Sequence, residues 1–128
     1  MIVGIGTDIV RIPRIRKVFE GYPQEFPRKI LGDQELEFFS KISLKEKQIS
    51  FLAKRFSAKE AFVKALGTGF RNGVVLPDII VENDSLGKPQ IRLLGKVNEF
   101  LPKGCDVFLS IADEIDMAVS FVVIQRSE

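Results

Sequence analysis

An α+β fold, with a long central helix packed on a mainly antiparallel sheet, is predicted by the order of the sequence patterns. Helical periodicity is concentrated between residues 13 and 66, and short β-like runs fill the chain after Asn72-Gly73. No repeat, polar linker or break in composition divides the 128 residues, so one domain is expected over 1–128.

The first element is a strand. Ile2-Val3-Gly4-Ile5-Gly6-Thr7-Asp8-Ile9-Val10 combines β-branched residues with glycines that disfavour a helix, and Asp8 falls near its end. Pro13 suits the first turn of a short helix reaching Phe19, Tyr22-Pro23 and Phe26-Pro27 mark a loop, and a second helical stretch covers 33–41. Ser43-Leu44-Lys45-Glu46 has the pattern of a capping box, in which a serine oxygen and a glutamate three residues on satisfy the exposed amides of a helix start. The long helix beginning there runs to Leu66 and stops at Gly67-Thr68-Gly69, where glycine permits a left-handed turn.

At about 100° per residue, Ile49, Leu52, Ala53, Phe56 and Val63 form one apolar stripe and Phe51, Ala58, Phe62, Ala65 and Leu66 another. One stripe is expected to meet a sheet and the other to meet more protein, such as another subunit, because a small chain rarely encloses a helix by itself. Strands are predicted over 74–76, 79–82, 90–93, 106–112 and 117–125. A turn at 83–88, a brief helix at 95–101 and a hairpin at 113–116 connect them.

The balance of 45% hydrophobic and 28% charged residues is that of an ordinary globular chain. No apolar run approaches the roughly 20 residues of a membrane span, and Gly4, Gly6 and Asp8 break the N-terminal apolar stretch where a signal peptide would be continuous. A cytoplasmic protein is expected. The single cysteine, Cys105, excludes an intramolecular disulfide, and the absence of histidine excludes Ser-His-Asp and Cys-His catalysis and imidazole-bound zinc. Any metal must be held by oxygen.

A net charge of +2 is too small for the whole molecule to act as a polycation, but its distribution is uneven. Arg11, Arg14, Arg16, Lys17, Arg28 and Lys29 form one basic cluster, and Lys54, Arg55, Lys59 and Lys64 form a second. Acidic residues gather at 33–37, 78–84 and 113–116. Each cluster, taken alone, also reads as solvated surface.

Glu60 falls within the Ile49, Ala53, Phe56, Val63 stripe, where a carboxylate needs a cation or several hydrogen bonds. Lys64 one turn on offers an ordinary ion pair, and the alternative is that Glu60 faces a hard metal ion with a second carboxylate. Asp8 is the natural second carboxylate, although an aspartate at a strand end is also a common turn residue. Gly4-Ile5-Gly6-Thr7-Asp8-Ile9 lacks the last small residue of a dinucleotide fingerprint, and Gly67-Thr68-Gly69 lacks the Lys-Ser/Thr of a P-loop. Two acids, basic residues and a glycine turn together suit phosphate chemistry with Mg²⁺, which usually keeps waters and phosphate oxygens as its other ligands.

Three stretches resemble the bacterial holo-acyl-carrier-protein synthases, the short class of 4'-phosphopantetheinyl transferases. They are Gly4-Ile5-Gly6-Thr7-Asp8-Ile9-Val10, the run 51–69 with its R-F-x-x-K-E-A-x-x-K-A pattern, and Gly87-Lys88-Pro89. The resemblance spans the whole chain. It implies transfer of phosphopantetheine from coenzyme A to a serine of acyl carrier protein, in fatty acid biosynthesis, with release of adenosine 3',5'-bisphosphate.

By the same resemblance, Asp8 and Glu60 bind Mg²⁺, Lys64 steadies charge, and Glu60 takes the serine proton directly or through a water. Arg55, Lys59, Lys64, Gly67, Thr68, Gly69, Lys88 and Pro89 match positions lining the coenzyme A site. Arg14, on the basic N-terminal helix, would meet the acidic helix of the carrier protein, and a homotrimer with active sites between subunits is implied. Ser110-Ile111-Ala112-Asp113 departs from the family's Ser-Ile-x-His, so no coenzyme role is carried onto Asp113. The alternative is a module that binds carrier protein or coenzyme A without transfer. RNA binding has little support, because one tyrosine, no tryptophan and no RNP-like run leave few stacking platforms. Neither nucleic acid nor membrane is therefore expected as a partner.

Overall fold

The computed structural model describes residues 1–71 and 73–127, so Asn72 of the expected Asn72-Gly73 turn lies outside the described residues. Strand β1 (Ile2–Arg11) is followed by helices α1 (Ile12–Gly21), α2 (Glu25–Ile30), α3 (Asp33–Ser40) and α4 (Lys45–Leu66). Strands β2 (Ile79–Asn83), β3 (Pro89–Leu93), β4 (Cys105–Asp113) and β5 (Met117–Arg126) complete the fold, with 3₁₀ turns at Leu76–Asp78 and Gly95–Phe100. The predicted α+β class and central helix are observed, but the strands divide into two antiparallel sheets, β1-β5-β4 and β2-β3.

Three local expectations fail for identifiable reasons. The loop expected around Phe26-Pro27 contains α2, with Pro27 in its first turn, where the missing amide hydrogen costs nothing because that position has no intrahelical acceptor. The strand expected at 74–76 is instead a buried Val74 leading into a 3₁₀ turn, because Pro77 supplies no donor for a ladder. The Ser43 capping box does not form. Leu44 is the N-cap, and the first-turn side chains turn outward to α1: Glu46 meets Arg16 at 2.5 Å and Lys45 meets Glu20 at 2.5 Å.

Helix α4 ends as predicted, with Gly67 left-handed at φ 82°. Its own chain encloses it. The N-terminal half packs Ile49, Phe51, Leu52 and Ala53 with Ile12, Ile15 and Phe19 of α1, with Ile30 and Leu31, and with Ala118. The C-terminal half packs Ala58, Ala61, Phe62, Val63 and Ala65 with Val74, Ile79, Val81, Leu109, Val122 and Ile124. The core is thus partitioned along the helix and not between its two stripes, and neither stripe is left for another subunit. The unclad apolar face belongs to the sheet. On β5, Ala118, Ser120, Val122 and Ile124 alternate inward, while Val119 and Phe121 point away from the helix and lie beside Ile5, Ile9 and Phe108, all exposed.

Candidate active site

The site is made by the close approach of β1 to α4. Gly4 and Gly6 face the helix, and a Cβ on either would overlap the carbonyl oxygen of Ala65 or Ala61, respectively. The glycines that resemble half a nucleotide fingerprint therefore serve backbone packing. Ala61 and Ala65 each follow a charged residue on the helix, Glu60 and Lys64, and Asp8 lies two residues beyond Gly6 on the same face of β1. The seam that excludes side chains at Gly4 and Gly6 thus ends where three charged ones meet.

Lys64 Nζ donates to Asp8 Oδ1 at 3.1 Å and to the Thr7 carbonyl at 3.1 Å. The ordinary helical pair expected between Lys64 and Glu60 is replaced by this one between helix and strand. Burial holds the Glu60 carboxyl above the usual carboxylate range, with the Asp8 charge adding to the effect and Lys64 opposing it. Opposite Asp8, on β5, Ser120 shares a buried 2.6 Å hydrogen bond with Ser57, one turn before Glu60. This hydroxyl pair ties the helix to the sheet at the level of the acids, and a serine within an apolar run gives no sequence signal for it.

No group of three or more acidic, cysteine or histidine side chains suited to a metal exists among the described residues. The donor set is two carboxylates. It fits a hard cation that keeps water and phosphate as its remaining ligands, and it does not fit a closed protein cage.

The other expected site residues do not gather here. Lys88 and Pro89 line a groove of about 680 Å³ between β3 and β4, together with Asn98, Leu101, Cys105 and Phe108. Arg55 and Lys54 line a second groove of about 490 Å³ with Gln34, Phe38, Phe51 and Asn83. Arg14 lies beside Asp8 in a third, of about 310 Å³, whose apolar wall is Ile15, Val18, Phe26 and Phe56. Gly67, Thr68 and Gly69 form the turn after α4, Gly67 and Gly69 exposed and Thr68 half-buried.

Lys59 is the clear correction to the expected coenzyme-lining set. It is completely buried, and Nζ donates to Glu35 Oε1 at 2.6 Å, the Ile30 carbonyl at 2.6 Å and the Leu76 carbonyl at 3.2 Å. All three protons are used, so none remains for a phosphate. Burial pulls its pKa down to about 8 against the pull of Glu35. Glu35 also accepts from the Gly32 and Val81 amides at 3.0 and 3.1 Å, and its Oε2 lies 3.3 Å from Arg55 Nε. One acid of the 33–37 cluster and two cations of the 54–64 cluster therefore neutralise each other inside the protein. Asp113, at the end of β4, accepts a 3.4 Å hydrogen bond from the Ser50 hydroxyl and is exposed.

A helix–sheet seam carrying two carboxylates and a lysine suits phosphoryl-group chemistry. Residues 4–115 match the model of the 4'-phosphopantetheinyl transferase superfamily. The chain belongs to that family. It is 44% identical over 124 residues to a holo-[acyl-carrier-protein] synthase of Wolbachia pipientis, covering 97% of this chain and 98% of the relative. Among solved structures, the Neisseria meningitidis holo-[acyl-carrier-protein] synthase superposes with a TM-score of 0.89 at 41% identity, covering 98% of this chain and 100% of that one. The Bacillus anthracis synthase, solved in complex with CoA (3',5'-ADP), gives 0.84 at 36% identity, with 99% of both chains covered.

Proposed function

We propose that this protein is a holo-[acyl-carrier-protein] synthase that moves 4'-phosphopantetheine from coenzyme A to a serine of apo-acyl carrier protein and so supports fatty acid biosynthesis in the cytoplasm. The observation that carries the reading is the meeting of Asp8, Glu60 and Lys64 at the β1–α4 seam in a chain of this family. In the reaction the serine oxygen bonds to the β-phosphorus of coenzyme A as the bond to adenosine 3',5'-bisphosphate breaks.

Asp8 and Glu60 hold Mg²⁺, which when bound supplies positive charge to the coenzyme A pyrophosphate. Lys64 uses two of its three protons on Thr7 and Asp8, and the third is free to meet a phosphate oxygen. Glu60, whose carboxyl holds its proton more tightly than an exposed one, is suited to receive the serine proton. Gly67, Thr68 and Gly69, with Lys88, Pro89 and Arg55, complete the coenzyme contacts.

Lys88 and Pro89 lie in one groove of the protomer, Arg55 in a second and Asp8 in a third, which supports a homotrimer whose sites form between subunits. The uncovered face of β1-β5-β4, with Phe121 near its centre, suits that interface. Phe121→Asp is expected to convert the trimer to a monomer, seen as a threefold fall in mass by light scattering. Unchanged mass would exclude this face from the contact.

Arg14 is exposed next to an apolar pocket, a pairing that suits an acidic amphipathic helix such as that of the carrier protein. Arg14→Glu is expected to raise KM for the carrier by about tenfold or more at low salt and to leave KM for coenzyme A unchanged. A larger change in the coenzyme KM would move Arg14 out of the docking surface.

The deciding experiment is intact mass spectrometry of apo-acyl carrier protein after incubation with this protein, coenzyme A and Mg²⁺, with and without chelator. Gain of one phosphopantetheine, abolished by chelator, is the expected result. Binding of either substrate with no mass gain would identify a binding module in its place.

A further inference from the structure

We propose that Glu35 is a positioning residue for coenzyme binding: from inside the core it fixes the Arg55 guanidinium so that its outer edge faces the groove between α3, α4 and β2. The proposal rests on the assignment of Arg55 to the coenzyme A site made above.

Glu35 is 3% exposed, and each of its oxygens is doubly engaged. Oε1 accepts from Gly32 N and Lys59 Nζ, and Oε2 accepts from Val81 N and lies 3.3 Å from Arg55 Nε. The carboxylate is thereby held by α4, β2 and the α2–α3 corner. The Arg55 side chain is 11% exposed, and its Nε is buried with no hydrogen bond among the described residues, so the attraction to Glu35 is mainly one of charge. Its Cζ sits 4.4 Å over the Phe51 ring, which stacks on Phe38 at 5.5 Å. A charge behind it and a ring beneath it hold the guanidinium in one plane, and Arg55 and Lys54 both line the groove.

An arginine is a long flexible cation whose value to a phosphate ligand depends on being held in place before the ligand arrives. Glu35 provides that support, and Lys59 is what allows an ionised Glu35 to exist in the core. The pair belongs to recognition as much as to folding.

Truncating Glu35 alone strands the Lys59 ammonium, so the test uses the volume-matched double variant Glu35→Gln/Lys59→Met beside Arg55→Lys, each with coenzyme A in calorimetric titration and in steady-state kinetics. Both variants are expected to weaken coenzyme A binding by about tenfold or more, with KM for the carrier protein unchanged. Normal coenzyme affinity in the folded double variant, with Arg55→Lys impaired, would overturn the positioning role and leave the Arg55 assignment standing. Normal affinity in Arg55→Lys would overturn both, and failure of the unaltered protein to bind coenzyme A would overturn the functional reading beneath them.

Discussion

Glu60→Gln is expected to lower phosphopantetheine transfer by at least about a hundredfold while the protein stays folded. The substitution keeps the shape of the side chain and removes its charge, so three roles are lost together: a metal ligand, the compensation of nearby cations, and a proton acceptor. Because Glu60 sits in a half-buried position where ionisation already costs free energy, the neutral amide relieves a desolvation penalty, and the melting temperature should hold or rise. Turnover from mass spectrometry and thermal melting measure the two sides. A loss of less than tenfold would remove Glu60 from the chemistry, and Mn²⁺ binding followed by paramagnetic resonance separates the metal role from the proton role. Asp8→Asn should resemble it in metal binding, with the further effect of freeing Lys64.

Lys59→Met carries the largest expected effect on stability. With the ammonium gone, the buried Glu35 carboxylate is left with only two backbone amides and a poorly aligned Arg55, and breaking a buried pair in this way costs about 3–5 kcal/mol. Urea unfolding of the single variant should show this as a large fall in midpoint. The double variant with Glu35→Gln should recover most of it, because an absent buried pair is far less harmful than half of one. If the single variant unfolds like the unaltered protein, the ion pair is not what holds α3 and β2 to α4.

These two residues, neighbours in sequence, show where sequence reading succeeds and where it stops. Glu60 was legible because a carboxylate in an apolar stripe is an anomaly within its own helix, and Asp8 because it follows the glycines of the first strand, near its end. Lys59 looked like one more cation on a basic helix, and nothing local distinguishes a lysine directed to a phosphate from one directed to an acid 24 positions away. The same limit explains the central helix. Its two apolar stripes were visible, but which surfaces cover them is a property of α1, α2 and the β-sheets folding back from both directions. The capping box at Ser43 failed for a related reason, since the partner that claims Glu46 lies 30 residues earlier. Periodicity and turn residues reach along an element, whereas ion pairs between elements are decided by topology.

The first strand of this chain pairs with the last of its five, from Ile2 opposite Gln125 to Arg11 opposite Met117. As the chain leaves the ribosome, β1 and β4 must wait for β5 to complete their ladders, because β5 is the central strand on which both are laid. The ladder that sets Asp8 opposite Ser120, and through Ser120 ties β5 to Ser57 of the helix, is therefore completed only when β5 is in place. A nascent chain that stalls before residue 117 lacks both the ladder partner of β1 and the Ser120 hydroxyl that ties sheet to helix, so the level of the acids is secured only by the last strand to be made.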